Sequence, residues 1–212
     1  MGHAQEAAPL NRQAYLEWEA EQPDKHEYIA GEVFAMVGVR RGHALAALTI
    51  ASRLREHLKG SRCDTFVSDM KLFVADADAY FYPDVMVTCD ERDRRAELAI
   101  EHPKLVVEVL SDSTAAYDRG AKFAAYRKLT DLQEYLIVDI AQRRLELYRR
   151  AADHWLMFDS AGSGPALQLQ SVDMALSPAE AFEDLDEQTL QHRRLRHACA
   201  TQTSTSARGD VD

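Results

Sequence analysis

Residues 104–110, Lys-Leu-Val-Val-Glu-Val-Leu, form a near-continuous apolar run with one carboxylate in its middle. A strand open to water on one side alternates apolar with polar, so an unbroken run reads as a strand buried on both faces. That commits the chain to a sheet covered from both sides. Glu108 is then the anomaly, because a carboxylate on such a strand is costly unless it is paired or bound to a cation.

A second acid, Asp84, opens an earlier apolar segment, 84–89, directly after Pro83. Proline suits a strand start, where no ladder N–H is required. If the two strands are neighbours, Asp84 and Glu108 converge on one point. Two hard oxygen ligands with open positions suit Mg²⁺ or Mn²⁺. The alternative is that Glu108 pairs with a buried lysine or arginine. Downstream, Asp118, Lys122 and Tyr126 share one row of a helix at i, i+4 and i+8. Either Asp118 and Lys122 form an exposed ion pair of little energetic weight, or Lys122 points back at the two acids, where an ammonium orients water and stabilises developing charge.

The rest of the chain reads as a mixed α/β (α+β) domain over residues 12–188, with 1–11 and 190–212 as flexible termini; the tail ATQTSTSARGDVD has the composition of a disordered end. Residues 14–20 predict a short helix, and EYIAGEVFAM a hairpin turning at Ala30-Gly31. Residues 42–59 predict a helix whose apolar stripe is Ala47, Ile50, Ala51, Leu54 and Leu58. His43 begins that face and Gly60 stops the helix. CDTFVSDMKLFV predicts one bent strand or a hairpin. A helix is expected from Asp118 to Leu129, then a buried strand EYLIVD and hairpin partners RLELYRR and HWLMF. A short helix capped by Ser177 with Pro178 in first position closes the domain.

Net charge is −10, which by itself argues against a polyanionic partner. The distribution is uneven: residues 40–62 hold six basic residues and one acid, and 118–150 hold eight and five, on either side of an acidic centre. That pattern would let a nucleic acid approach a carboxylate-bound metal. Three cysteines without CxxC spacing, Cys63, Cys89 and Cys199, argue against a disulfide scaffold or a cysteine zinc site. Cys63 and Cys89 read as small buried hydrophobes in a reducing, cytoplasmic setting. No apolar run reaches the length of a membrane-spanning helix, and the N-terminus lacks the basic start and apolar stretch of a signal peptide. Phosphate loops, GxSxG and HExxH are absent, which weighs against the corresponding hydrolases.

The ordered series Tyr82-Pro83-Asp84, Leu105 to Ser111 with Glu108 at its centre, Asp118, Lys122, Tyr126 and Glu134 to Asp139 resembles the Uma-type family of restriction endonucleases in the PD-(D/E)XK nuclease superfamily. Glu27-Tyr28, Gly31-Glu32 and His43 extend the resemblance towards the start. It implies a restriction-endonuclease-like core, a mixed sheet flanked by helices with extra N- and C-terminal hairpins, and Mg²⁺- or Mn²⁺-dependent hydrolysis of DNA phosphodiesters. On residue-by-residue transfer, Asp84 and Glu108 are the metal ligands and Lys122 the catalytic lysine, moved from strand to helix, since the usual E-x-K position here is Leu110. Asp112 departs from the family's frequent proline, and Ala30 from its frequent acid or amide.

Glu32 and Asp69 are further metal candidates. Arg40, Arg41, Arg53, Arg119 and Arg127 are the candidates for sequence-independent contacts to the nucleic-acid backbone. His43 could approach the cleft or sit satisfied and half-buried. Tyr126, Tyr135 and Trp155 read as core or half-core. A homodimer is expected because a double-strand cut needs two sites, and apolar Leu147, Trp155 and Met157 could extend past the core. A nuclease-fold binding module without turnover is the competing reading.

Overall fold

A computed structural model describes residues 10–36, 38–111 and 113–185. The two expected flexible termini lie almost wholly outside these residues, as do Asp112 and Cys199. The elements run in the order α1 (Arg12–Ala20), β1 (His26–Ile29), β2 (Glu32–Ala35), α2 (Arg41–His57), β3 (Asp64–Val67), β4 (Lys71–Val74), β5 (Ala79–Phe81), β6 (Val85–Thr88), β7 (Ala99–Ile100) and β8 (Pro103–Val109). Then come α3, wound through Ala115–Tyr117, Asp118–Lys122 and Phe123–Tyr126, β9 (Glu134–Asp139), β10 (Arg144–Arg150), β11 (Trp155–Ala161), β12 (Leu167–Leu169), β13 (Met174–Leu176) and α4 (Pro178–Ala181).

Two mixed sheets organise these elements. The larger has the order β11-β10-β9-β8-β6-β3 and the smaller β2-β1-β5-β4-β7, with β12-β13 as a separate hairpin. β8 is a central strand, antiparallel to β6 and parallel to β9. Its alternate residues feed two cores. Leu105, Val107 and Val109 pack with Ile50, Leu54 and Leu58 of the α2 segment and with the β12–β13 hairpin. Val106 packs on the other face with Leu72 and Phe81 of the small sheet and Tyr126 and Leu129 of the α3 segment. The unbroken apolar run is thus covered by a helix on one side and by a helix plus a second sheet on the other. This is the mixed α/β architecture with hairpins at both ends that the sequence predicts.

The β1–β2 hairpin turns at Ala30 (φ 48°) and Gly31 (φ 97°), a pair of left-handed residues as a two-residue turn of this hand requires. Ser177 and Glu180 form a reciprocal capping box on α4. Three expectations are corrected. Residues 63–74 are neither one strand nor a hairpin: β3 pairs with β6 in the large sheet and β4 with β5 and β7 in the small one, the chain changing sheets at Asp69, whose φ is 98°. Cys63 and Cys89 are not free hydrophobes but a disulfide. The β3–β6 register pairs Asp64 with Thr88, so the next residues out stand opposite each other, with Cα atoms 4.0 Å apart. Leu147 is core rather than an overhang, while its neighbours on β11, Leu156, Met157 and Phe158, are exposed. Among the described residues no helix is long and apolar enough to cross a membrane.

Candidate active site

β6 and β8 run antiparallel with Val85 opposite Val107. The next pair in that register is Asp84 and Glu108, so the two acids sit at the same end of adjacent strands. Glu108 has the strand parity of Val106 and faces the side shared by α3 and the small sheet. There its Oε1 meets Lys122 Nζ at 2.9 Å and accepts the Tyr126 hydroxyl at 2.7 Å. Asp84 Oδ2 accepts the Val109 backbone N–H at 2.7 Å and lies 3.3 Å from His43 Nε2 on the first turn of α2.

The helix expected from Asp118 starts earlier, at Ala115, ends at Tyr126, and is wound as a π-helix over Asp118–Lys122. Such turns add a residue to the local period and recur at functional sites. Here Asp118, Lys122 and Tyr126 are all buried against the sheet. The exposed Asp118–Lys122 pair is therefore replaced by a buried one, 3.7 Å apart, with the lysine side chain only 7% exposed. The two readings of Glu108, cation site or partner of a buried lysine, turn out to be compatible: Lys122 is that partner.

A further carboxylate completes the cluster. Glu27 on β1 of the small sheet is buried, and its Oε1 lies 3.0 Å from Lys122 Nζ. Its position in a four-residue strand, buried on both sides of the pleat, carries no periodic signal. Only a long-range pairing brings it here. Tyr126 is core, as its place in the sequence predicts, and its hydroxyl is also the second donor to Glu108.

Four carboxylates, Asp84, Glu108, Asp118 and Glu27, thus surround one ammonium and one imidazole. Burial, the largest influence, together with the like charges of Asp84 and Asp118, raises the Glu108 carboxyl well above its ordinary value against the pull of Lys122. Burial likewise raises Asp118, opposed by Lys122. For Lys122, burial favours the neutral amine, but Glu108, Glu27 and Asp118 outweigh it and hold the ammonium above its ordinary value. His43 follows the same logic: burial lowers it, and Asp84 with the Val109 backbone more than restores it.

The donor set can be matched against a cation. Among the described residues no group of three or more His, Cys, Asp or Glu gathers as a complete protein cage would. The described hydrogen bonds and ion pairs use only Oδ2 of Asp84 and Oε1 of Glu108. The second oxygen of each carboxylate takes part in none of these contacts. Two carboxylates fit Mg²⁺ or Mn²⁺, which keep several waters, while the His43 imidazole is engaged with Asp84.

The remaining candidates are scattered. Glu32 is exposed on β2, the edge of the small sheet, and Asp69 is exposed in the β3–β4 turn. No hydrogen bond or ion pair among the described residues joins either side chain to the cluster. Arg40 and Arg41 are exposed at the start of α2 beside His43. Arg53 is turned to Glu180 and Glu183. Arg119 is held by Glu146 and Asp139, and Arg127 lies over the Phe123 ring.

Comparison with known proteins agrees with this fold. The chain is 39% identical over 169 residues to the uncharacterized protein slr1290 of Synechocystis sp. (strain ATCC 27184 / PCC 6803 / Kazusa), covering 79% of this chain and 88% of that one. It is 34% identical over 162 residues to sll1609 of the same organism, covering 75% and 92%. The crystal structure of a "putative nuclease belonging to DUF820" from Anabaena variabilis ATCC 29413 shares the fold, with a TM-score of 0.68 over 82% of this chain and 98% of that one at 18% identity. The profile of the family described as "Uma2: Putative restriction endonuclease" matches residues 12–179, nearly the whole described domain, and the chain belongs to that family.

Proposed function

We propose that the protein is a divalent-metal-dependent endonuclease that hydrolyses DNA phosphodiester bonds. The observation that carries this reading is the meeting of Asp84 and Glu108 at one end of β6 and β8 with Lys122 2.9 Å from Glu108. Asp84 and Glu108 would hold Mg²⁺ or Mn²⁺ through their second oxygens. A bound cation of this kind lowers the pKa of its water and neutralises the scissile phosphate. Lys122 orients the attacking water and faces the charge that builds on the phosphate. The Val109 N–H and His43 fix the Asp84 carboxylate. Arg41, exposed at the rim beside His43, takes flanking phosphates. Arg53 and Arg119 serve less well, since their guanidinium groups are engaged within the chain.

The test is Mg²⁺-dependent cleavage of plasmid and branched DNA. Wild type is expected to cut and Asp84→Ala to lose at least about 100-fold of the rate; unchanged cleavage by the variant would remove the site. A binding module without turnover is favoured by one observation, the enclosure of Lys122 by carboxylates of its own chain. It predicts DNA binding that survives Asp84→Ala with no cleavage by either protein.

We infer further that the protein works as a homodimer, each copy cutting one strand. Support comes from β11, a seven-residue strand at the open edge of the large sheet, exposing Leu156, Met157 and Phe158 where an edge is normally protected. Light scattering at micromolar concentration should give twice the 23.9 kDa chain mass; a monomer unchanged by DNA would leave only single-strand cutting.

A further inference from the structure

Glu27 is not required by the reaction just described, yet it faces three donors from three different segments of the chain. Its Oε1 meets Lys122 Nζ at 3.0 Å and the Tyr82 backbone N–H at 3.4 Å, and its Oε2 accepts the Tyr117 hydroxyl at 3.4 Å. Lys122 is therefore gripped at close range by two carboxylates from different sheets, Glu108 on β8 and Glu27 on β1, with Asp118 of its own helix further off at 3.7 Å. The two grips are not equivalent. Glu108 is the acid that would also take the divalent cation, and a cation and an ammonium on one carboxylate repel each other strongly in a buried site. A lysine held by Glu108 alone would either be displaced by the cation or keep the cation out.

We propose that Glu27 is a positioning residue that retains Lys122 beside the metal site, so that Glu108 can accept a divalent cation without losing the lysine. The inference rests on the metal-dependent reading of Asp84 and Glu108. Glu27 acts through Lys122 and not as a ligand: no described contact joins it to Asp84 or Glu108, and its carboxylate is already committed to three donors.

The experiment is a double-mutant cycle on Mn²⁺ affinity, measured by calorimetry on the full chain with Mn²⁺ alone and no DNA. Glu27→Gln keeps the shape and one acceptor oxygen for the Tyr82 N–H, its amide NH2 facing the Tyr117 hydroxyl as a donor instead, and should weaken Mn²⁺ binding about tenfold, because the released ammonium settles on Glu108. In a Lys122→Met background, or Lys122→Gln if the first does not fold, Glu27→Gln should change affinity by less than about twofold. Glu27→Asp keeps the charge but shortens the arm, and should resemble Glu27→Gln rather than wild type. Additive effects of the Glu27 and Lys122 substitutions, or full rescue by Glu27→Asp, would overturn the inference and reduce Glu27 to a distant negative charge. Those results leave the metal site standing. Absence of Mn²⁺ binding in wild type would instead bring down the metal-dependent reading, and this inference with it.

Discussion

At the Val85 end of the β6–β8 pair, four carboxylates crowd around one ammonium and one imidazole. At the Thr88 end of the same two strands, a second polar cluster gives each acid its own donors. Asp93, buried there, accepts the Thr88 hydroxyl at 2.7 Å and the backbone N–H groups of Glu101 and His102 at 3.1 Å each. Asp90 takes Arg92, whose hydrogen bonds hold its carboxyl well below the usual range, and Asp131 faces both Arg92 and His102. One cluster is saturated and the other carries surplus negative charge, raising Glu108 and Asp118. A fold gains from the first arrangement. The second costs it stability, and such an excess is the arrangement expected where a cation must bind.

The comparison breaks if the two ends respond alike to losing an acid. Glu108→Gln should abolish at least about 100-fold of the cleavage rate while costing less than about 1 kcal/mol of stability, because Lys122 keeps Glu27 and the buried like charge is relieved. Asp93→Ala should do the reverse. It strands a hydroxyl and two amides, costs about 2 kcal/mol in urea unfolding, and leaves cleavage within about twofold of wild type.

Dependence on pH sharpens the contrast. Because the folded protein raises the Glu108 pKa, it holds a proton that the unfolded chain has already released. The associated stability is complete below the ordinary glutamate value of 4.5 and is lost as pH rises towards the folded value. A series of urea midpoints should show this decline in wild type and a flatter profile in Glu108→Gln. A profile unchanged by the substitution would mean that the surplus charge is relieved elsewhere. The smallest expected effect concerns the arginines. Arg53→Ala should cost under about 1 kcal/mol through its partly exposed pairs with Glu180 and Glu183, with DNA affinity unchanged. Arg41→Ala should weaken DNA binding and lower the salt slope by about 1. Equal effects on DNA affinity would erase the distinction drawn between them.

What was legible in the sequence follows the range of the contacts. Asp84 and Glu108 are visible because each violates a local pattern, one after Pro83 and one inside an apolar run. Lys122 is visible as part of a helical row. The π-turn that carries it is not, since nothing in Asp118-Arg119-Gly120-Ala121-Lys122 departs from ordinary helix spacing. Glu27 enters from another sheet, and its partner lies far along the chain. The basic character of 118–150 was legible but its destination was not: Arg119, Arg144 and Arg149 are consumed by Glu146, Asp159 and Glu134 across strands and loops. The Cys63–Cys89 pair has the same explanation, since register, not spacing, brings them together.

The chain crosses between the two sheets over very short spans. Ser68-Asp69-Met70 separate β3 from β4, and Tyr82-Pro83-Asp84 separate β5 from β6. Neither sheet can drift from the other without pulling on Asp84 itself, and Glu27 and Lys122 meet only after both sheets and α3 have assembled. The order of folding events then matters. A partly folded species with only the large sheet formed brings Asp84 and Glu108 together but leaves Lys122 without Glu27, so the full grip on the lysine is the last part of the site to form.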